Sequence, residues 1–202
     1  LAEESGEFKG DEVTWIIDPL DGTTNFLHGF PQFAVSIGIH VRNRLEHGVI
    51  YDPLRDELFT ASMGEGAQLN DRRLRVSKAT TLDGSLLGTG FPFREVAQID
   101  EYIEIFRTLM PICSGIRRAG AASLDLAYVA AGRLDGFWES GLKPWDMAAG
   151  AVIIQEAGGL IGDMRGANRF MQTGEMVTGN PKVYAALIQK LEEIRQRRDR
   201  PI

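Results

Sequence analysis

The spacing of apolar residues changes near residue 78, and this change limits the folds that the chain can adopt. Over residues 33–41, apolar residues alternate with small or polar ones at a period of two, which predicts a strand. Over residues 99–109, apolar residues recur instead at helical spacing. The sequence therefore predicts a sheet-rich half, residues 1–78, and a mixed half, residues 79–202, which together form one α and β sandwich.

Turn residues divide both halves into short elements. The apolar, β-branched run at residues 13–17 ends at Asp-Pro, which predicts a buried strand that delivers Asp18 at its end. Further strands are predicted in an antiparallel meander at residues 45–51, 57–61 and 67–69. In the second half, strands are predicted at residues 134–138, 160–161 and 176–177, and helices at residues 99–109, 121–131, 144–155 and from 181 onward.

Composition and charge exclude several classes of protein. Of the 202 residues, 44% are hydrophobic and 25% are charged, as in ordinary globular domains, and no apolar run is long enough to cross a membrane. The single cysteine excludes an internal disulfide framework and a cysteine-built zinc site, and it suits a cytoplasmic location. The net charge of −6 lies entirely in the first 25 residues, so direct binding of nucleic acid is not expected.

The most informative segment is Trp-Ile-Ile-Asp-Pro-Leu-Asp-Gly-Thr-Thr-Asn-Phe, residues 15–26. Asp18 and Asp21 flank a proline turn, which allows both carboxylates and the Leu20 carbonyl to face one space. Mg²⁺ prefers such oxygen ligands. Gly22 and Thr23 then begin a short helix, whose free N–H groups suit a phosphate. An Asp-Pro turn followed by a threonine helix cap explains this segment equally well.

A second acidic segment lies at residues 139–146. Asp146 falls in the first turn of a helix that Pro144 opens, where a carboxylate is stabilised by the helix dipole. A helix-start aspartate and a metal ligand are both consistent with this position. Glu139 follows a predicted strand, which is consistent with either a surface acid or a site residue.

Three motifs in this order resemble those of the metal-dependent inositol monophosphatase family. They are Asp-Pro-Leu-Asp-Gly-Thr-Thr-Asn-Phe at residues 18–26, the upstream Glu3-Glu4-Ser5, and Trp-Asp-Met-Ala-Ala-Gly at residues 145–150. Residues 117–139 and the Gly-Asn-Pro at 179–181 resemble most a bacterial branch of that family. The resemblance covers nearly the whole chain. It implies a layered αβαβα sandwich, Mg²⁺ as cofactor with two or three ions per site, inhibition by Li⁺, and a homodimer.

The resemblance also implies roles for individual residues. Carried over by position, the metal ligands would be Glu3, Asp18, the Leu20 carbonyl, Asp21 and Asp146. Gly22 and Thr23 would hold the phosphate, Thr23 would help to orient the attacking water, and the catalytic residues would be Thr23, Glu3 and Asp18. The hydroxyl groups of a sugar alcohol would meet Asp21, the Ala122 backbone and Glu139.

Two functions from different classes follow from the resemblance. The first is Mg²⁺-dependent hydrolysis of a small phosphate monoester, above all inositol 1-phosphate, with fructose 1,6-bisphosphate and 3′-phosphoadenosine 5′-phosphate as substrates found elsewhere in the superfamily. The second is a regulatory protein that binds the bacterial transcription antitermination machinery or RNA polymerase. Arg117 and Arg118 are candidates for that binding surface, although a structural salt bridge explains them as well.

Family members carry a further segment upstream of the position of Glu3. It includes helices that cover the first sheet and an acidic residue that partners the threonine. We therefore expect a polypeptide confined to these 202 residues to be a weak enzyme or none.

Overall fold

The computed structural model describes residues 1–4, 12–42, 44–92 and 98–198, which form two sheets and six helices. The first sheet is antiparallel, and its six strands lie in chain order. They are β1 (Val13–Asp21), β2 (Ala34–Val41), β3 (Arg44–Asp52), β4 (Glu57–Ser62), β5 (Gly66–Leu69) and β6 (Arg72–Arg73). The predicted meander is confirmed.

The second sheet is mixed and its strands are not in chain order. They are β7 (Leu86–Thr89), β8 (Gly115–Arg117), β9 (Gly136–Ser140), β10 (Leu160–Gly162) and β11 (Glu175–Gly179). The spatial order is β10-β11-β9-β7-β8, with β7 parallel to both β8 and β9 and the other pairs antiparallel.

The helices are α1 (Thr23–Leu27), α2 (Ile99–Leu109), α3 (Ala122–Ala130), α4 (Pro144–Glu156), α5 (Phe170–Thr173) and α6 (Pro181–Arg198). Helices α3 and α4 pack against each other between the two sheets, and α6 packs with α2 beyond the second sheet. The predicted mixed α/β sandwich is confirmed. In the described part of the chain, none of the helices has the length and apolar character needed to cross a membrane.

Two glycines allow α4 to pack directly against the first sheet. A Cβ at Gly48 would overlap the Ala149 carbonyl oxygen, and one at Gly38 would overlap the Ala148 side chain. Only glycine therefore permits this approach of helix to strand. The opposite face of the sheet is open to solvent at Val13 and Trp15, which are 44% and 52% exposed.

The structure corrects several predicted boundaries. Strand β1 does not stop at Asp18 but continues to Asp21, with an irregularity in its pairing with β2 between these two residues. The strand predicted at residues 134–138 is Gly136–Ser140. Strands β7 and β8 and helix α5 were not predicted, because segments of three or four residues show too little periodicity to be recognised.

Candidate active site

The irregular end of β1 brings two aspartates to the edge of the first sheet. Asp18 is 2% exposed and its Oδ1 accepts a hydrogen bond from the Leu20 backbone N–H at 2.9 Å. This local turn follows from Asp-Pro, because proline fixes the backbone between the two groups. Asp21 is also buried, and it pairs with Ala34 of β2 beyond the irregularity.

Helix α3 holds the Asp21 side chain in place. Oδ2 of Asp21 accepts a hydrogen bond from the backbone N–H of Ser123 at 2.8 Å and another from the Ser123 hydroxyl. Ser123 lies in the first turn of α3, where backbone N–H groups have no partner within the helix. A residue more than a hundred positions along the chain thus orients this carboxylate.

Helix α4 delivers the third aspartate from its first turn. Oδ2 of Asp146 accepts a hydrogen bond from the Lys143 backbone N–H at 2.7 Å, so Asp146 lies in the first turn of the helix, as predicted, and stabilises its start. The Ser36 hydroxyl of β2 donates to the Trp145 carbonyl at 3.1 Å and ties the start of α4 to the first sheet. The helix-start role and a role as ligand are therefore compatible.

These three side chains form what we call the carboxylate cluster, Asp18, Asp21 and Asp146. One carboxylate oxygen from each lies within 4.8 Å of the others. Oxygen ligands from two or more carboxylates at this separation suit a hard divalent cation such as Mg²⁺. The donor set therefore fits the metal that the family resemblance implies.

Burial and mutual repulsion disfavour the charged forms of the cluster. Burial, followed by the charge of Asp21, raises the pKa of Asp18 to about 8. Burial raises the pKa of Asp146 to about 7, and it raises the pKa of Asp21 to about 6 despite the hydrogen bonds from Ser123. A bound cation would reverse this tendency, because its charge favours the ionised carboxylates.

Helix α1 begins directly beside the cluster. Gly22 has φ +88°, and a Cβ there would lie 2.8 Å from the Gln32 carbonyl oxygen, so glycine is required for two reasons. The Thr23 hydroxyl donates to the Leu20 carbonyl oxygen at 3.0 Å. The Asn25 amide donates to the carbonyls of Gln32 and Ala119 at 2.8 and 2.9 Å, which fastens α1 to two loops.

All nine predicted site residues line one cavity of about 350 Å³; they are Glu3, Asp18, Leu20, Asp21, Gly22, Thr23, Ala122, Glu139 and Asp146. Glu3 is exposed and does not belong to the carboxylate cluster. Its backbone N–H donates to the Ile17 carbonyl at 3.3 Å, next to a parallel bridge between Ala2 and Ile17. The edge of β1 thus positions Glu3 at the cavity.

A second part of the cavity lining is what we call the arginine wall, Arg118, Asp125 and Glu139. Burial and the charge of Asp125 hold the pKa of Glu139 well above its usual range, and the charge of Arg118 opposes this. Glu139 fits only because residue 90 is glycine, since a Cβ there would overlap its carboxylate.

Two members of this wall were not assigned to the site by sequence reasoning. Asp125 is 2% exposed in α3, and its only sequence signal is a lone acid within an otherwise apolar helix. Arg118 was considered for a partner surface, but the structure places it in the cavity lining.

Comparisons with known proteins agree with this geometry. The sequence pattern of the inositol monophosphatase family matches residues 1–196. The chain belongs to the inositol monophosphatase family. It is 58% identical over 192 residues to "Nus factor SuhB" of Pseudomonas aeruginosa, covering 94% of this chain and 70% of that protein.

Two solved structures of relatives share the fold. The extragenic suppressor protein suhB from Bartonella henselae superposes with a TM-score of 0.92 at 48% identity, covering 96% of this chain and 75% of that one. The inositol monophosphatase from Anabaena superposes with a TM-score of 0.91 at 43% identity, covering 96% of this chain and 77% of that one.

Proposed function

We propose that the chain is a Mg²⁺-dependent phosphatase that hydrolyses small phosphate monoesters of polyols, with inositol 1-phosphate as the representative substrate. The observation that carries the proposal is the carboxylate cluster, which lies beside α1 in a cavity large enough for a small ligand. Membership of the inositol monophosphatase family supports the same chemistry.

The residues that would hold two or three Mg²⁺ ions are Glu3, Asp18, the Leu20 carbonyl, Asp21 and Asp146. When bound, such ions lower the pKa of a coordinated water and offset the charge on the phosphoryl oxygens and the leaving oxygen. Backbone N–H groups of Leu20, Ser123 and Lys143 keep the three cluster carboxylates oriented for this role. Preorganised ligands of this kind do not have to reorient during the reaction.

Thr23 would orient the attacking water. Its hydroxyl hydrogen is committed to the Leu20 carbonyl, so its oxygen lone pairs are directed elsewhere and can accept a hydrogen bond from water. The Gly22 and Thr23 backbone borders the same space and would hold the phosphate. In-line attack on phosphorus then needs no covalent enzyme intermediate.

The polyol would bind in the same cavity. Asp21, the Ala122 backbone and Glu139 all line the cavity and supply groups for sugar-alcohol hydroxyls. Ala122 begins α3, directly before the serine that holds Asp21. The first turn of α3 would therefore position both a metal ligand and a group that contacts the polyol.

Phosphate release from inositol 1-phosphate tests this proposal. We expect detectable, even if weak, turnover in the presence of Mg²⁺, loss of that turnover in chelator, recovery on adding Mg²⁺ back, and inhibition by Li⁺. Asp21→Asn should lack activity, while Asp100→Asn, an exposed acid in the first turn of α2, should match the unsubstituted chain. Equal phosphate release in chelator and in Mg²⁺ would contradict the proposal.

A second proposed function is binding to the bacterial transcription antitermination machinery. The name of the Pseudomonas relative, "Nus factor SuhB", favours it at 58% identity. If this function is independent of catalysis, Asp146→Asn should bind purified bacterial RNA polymerase with antitermination factors as tightly as the unsubstituted chain. Absence of binding by both forms would contradict it.

A further inference from the structure

The hydroxyl group of Ser123 bonds to Asp21 and does not cap its own helix. A serine near a helix start usually caps the free N–H groups with its side chain. In α3 the capping position is Ala121, and Ser123, two residues further on, is fully buried. Its hydroxyl donates to Oδ2 of Asp21, the same oxygen that accepts the Ser123 backbone N–H at 2.8 Å. Because Ser123 is shielded from bulk water, its hydroxyl is committed to this carboxylate.

Two donors therefore occupy one oxygen of Asp21. A carboxylate oxygen accepts hydrogen bonds in about two lone-pair directions. On Oδ2 of Asp21, the N–H and the O–H of Ser123 take both of them. Oδ1 is therefore the oxygen through which Asp21 can bind a cation.

The other two aspartates of the carboxylate cluster are less restricted. In the part of the chain that the structure describes, one oxygen of Asp18 accepts a single hydrogen bond, from the Leu20 N–H, and one oxygen of Asp146 accepts a single one, from the Lys143 N–H. One lone-pair direction on each of these oxygens is left for a cation. Asp21 is thus the member of the cluster that is most restricted to a single ligand oxygen.

This restriction affects Mg²⁺ and Ca²⁺ differently. Mg²⁺ requires near-octahedral geometry, into which the narrow angle between the two oxygens of one carboxylate fits poorly. Ca²⁺ is larger, takes about six to eight oxygens in a flexible arrangement, and often takes both oxygens of a carboxylate. Holding back one oxygen of Asp21 therefore removes a ligand that Ca²⁺ can use and Mg²⁺ does not need.

We propose that Ser123 is a positioning residue that makes the carboxylate cluster discriminate against Ca²⁺, because its hydroxyl restricts Asp21 to one ligand oxygen. The inference rests on the metal centre of the proposed phosphatase function. It deepens that function from the binding of a divalent cation to the choice between two divalent cations.

Calorimetric titration with Mg²⁺ alone and with Ca²⁺ alone tests this role without turnover. The titrations compare the unsubstituted chain, Ser123→Ala, which removes only the hydroxyl oxygen, and the matched control Ser85→Ala. Ser85 is also buried, its hydroxyl donates to the Leu82 carbonyl at 2.7 Å, and it does not line the cavity. The Tm of each variant is measured alongside to check that the fold is retained.

We expect Ser123→Ala to lower the ratio of the Ca²⁺ to the Mg²⁺ dissociation constant by about threefold or more, chiefly through tighter Ca²⁺ binding. Ser85→Ala should keep the ratio of the unsubstituted chain. Equal weakening of both cations in Ser123→Ala would overturn the inference, because a merely structural role of the hydroxyl does not favour either ion. The same change of ratio in Ser85→Ala would overturn it as well.

A crystal structure of the unsubstituted chain grown with Ca²⁺ tests the inference independently of how well Ser123→Ala folds. Asp21 should contact Ca²⁺ through Oδ1 alone. Contact through both oxygens of Asp21, or Ca²⁺ bound only at other acids, would overturn the inference.

Failure of the proposed function is distinguishable from failure of the inference. If Mg²⁺ binds but inositol 1-phosphate is not hydrolysed, the phosphatase proposal fails, and the ratio of dissociation constants still decides the role of Ser123. If phosphate is released but Ser123→Ala keeps the ratio of the unsubstituted chain, the inference alone fails. Absence of binding of both cations to the unsubstituted chain would overturn the inference together with the metal centre.

Discussion

Two parts of the cavity lining, the carboxylate cluster with three acids and the arginine wall with two acids and an arginine, differ in the groups that lie beside their acids. In the carboxylate cluster, each aspartate accepts hydrogen bonds from backbone N–H groups, and the repulsion between the acids still raises the pKa of Asp18. In the arginine wall, burial holds the pKa of Asp125 and of Glu139 well above their usual range, and the charge of Arg118 opposes this shift in both.

This difference indicates which ligand each side can take. Backbone N–H groups orient the cluster carboxylates but do not neutralise their charge. A cation that binds together with the ligand would therefore stabilise the ionised cluster most. The arginine wall contains its own cation and therefore suits neutral hydroxyl groups. Under the proposed function, this cavity would separate the charged and the neutral ends of a phosphorylated polyol.

The largest expected effect comes from removing one cluster charge. Asp146→Asn should lower kcat/KM for a phosphate monoester by about a thousandfold or more, since a lost metal ligand removes several kcal/mol of transition-state stabilisation. The Mg²⁺ concentration needed for half-maximal activity should rise. Asp100→Asn removes a helix-start acid away from the cavity and should have no such effect. Near-normal turnover in Asp146→Asn, with a slightly lower Tm, would show that Asp146 only stabilises the start of the helix.

Removing the Thr23 hydroxyl should have the next largest effect. Thr23→Val eliminates the hydrogen bond to the Leu20 carbonyl and, with it, the proposed acceptor for the attacking water. We expect a loss of about a hundredfold in kcat with little change in Mg²⁺ requirement. Thr23→Ser keeps the hydroxyl and should recover most of the rate. Equal activity in Thr23→Val and Thr23→Ser would show that the hydroxyl group does not contribute to the rate.

The contact of α4 with the first sheet predicts a stability effect of moderate size. Gly48→Ala would place a methyl group against the Ala149 carbonyl, at a cost of about 1–3 kcal/mol, and it would move Asp146 relative to Asp18. Urea unfolding should show this loss. In the control Gly115→Ala, the methyl group would meet only side-chain atoms of Arg117 and Leu86 and should cost less. If both variants lose the same stability, the close approach of α4 is not the reason.

The smallest effect concerns pH. The folded-state pKa of Asp18, about 8, exceeds its ordinary value of 3.8, so the folded protein retains a proton that the unfolded chain releases. Without divalent cation, stability should therefore fall as pH rises between about 4 and 8. We expect Tm to drop by a few degrees from pH 5 to pH 8, and Mg²⁺ to raise Tm more at pH 8. Asp18→Asn should flatten both trends. An unchanged pH dependence in Asp18→Asn would assign the effect to other groups.

Sequence reasoning predicted the two sides of the cavity to different extents. Asp18, Leu20, Asp21 and Thr23 lie within one short segment, so local turn chemistry and the family motif were enough to identify them. Asp146 could be assigned to a helix start from Pro144, but its approach to Asp18 depends on Gly38 and Gly48 in distant strands. Tertiary packing of this kind leaves no local signal.

The arginine wall depends even more on tertiary structure. Asp125 looks like an ordinary polar residue of a helix until α3 is packed between the sheets. Gly90 shows its role only once β9 has brought Glu139 against it. The parallel strands β7 and β8 that support this side were too short to recognise by periodicity.

Anomalous diffraction from crystals grown with Mn²⁺ tests the central claim most directly, because Mn²⁺ takes the oxygen ligands that Mg²⁺ takes. We predict anomalous peaks within coordination distance of Asp18, Asp21 and Asp146, and loss of at least one of these peaks in Asp146→Asn. Peaks found only at other acids, or an unchanged set of peaks in Asp146→Asn, would contradict the assignment of the carboxylate cluster as the metal centre.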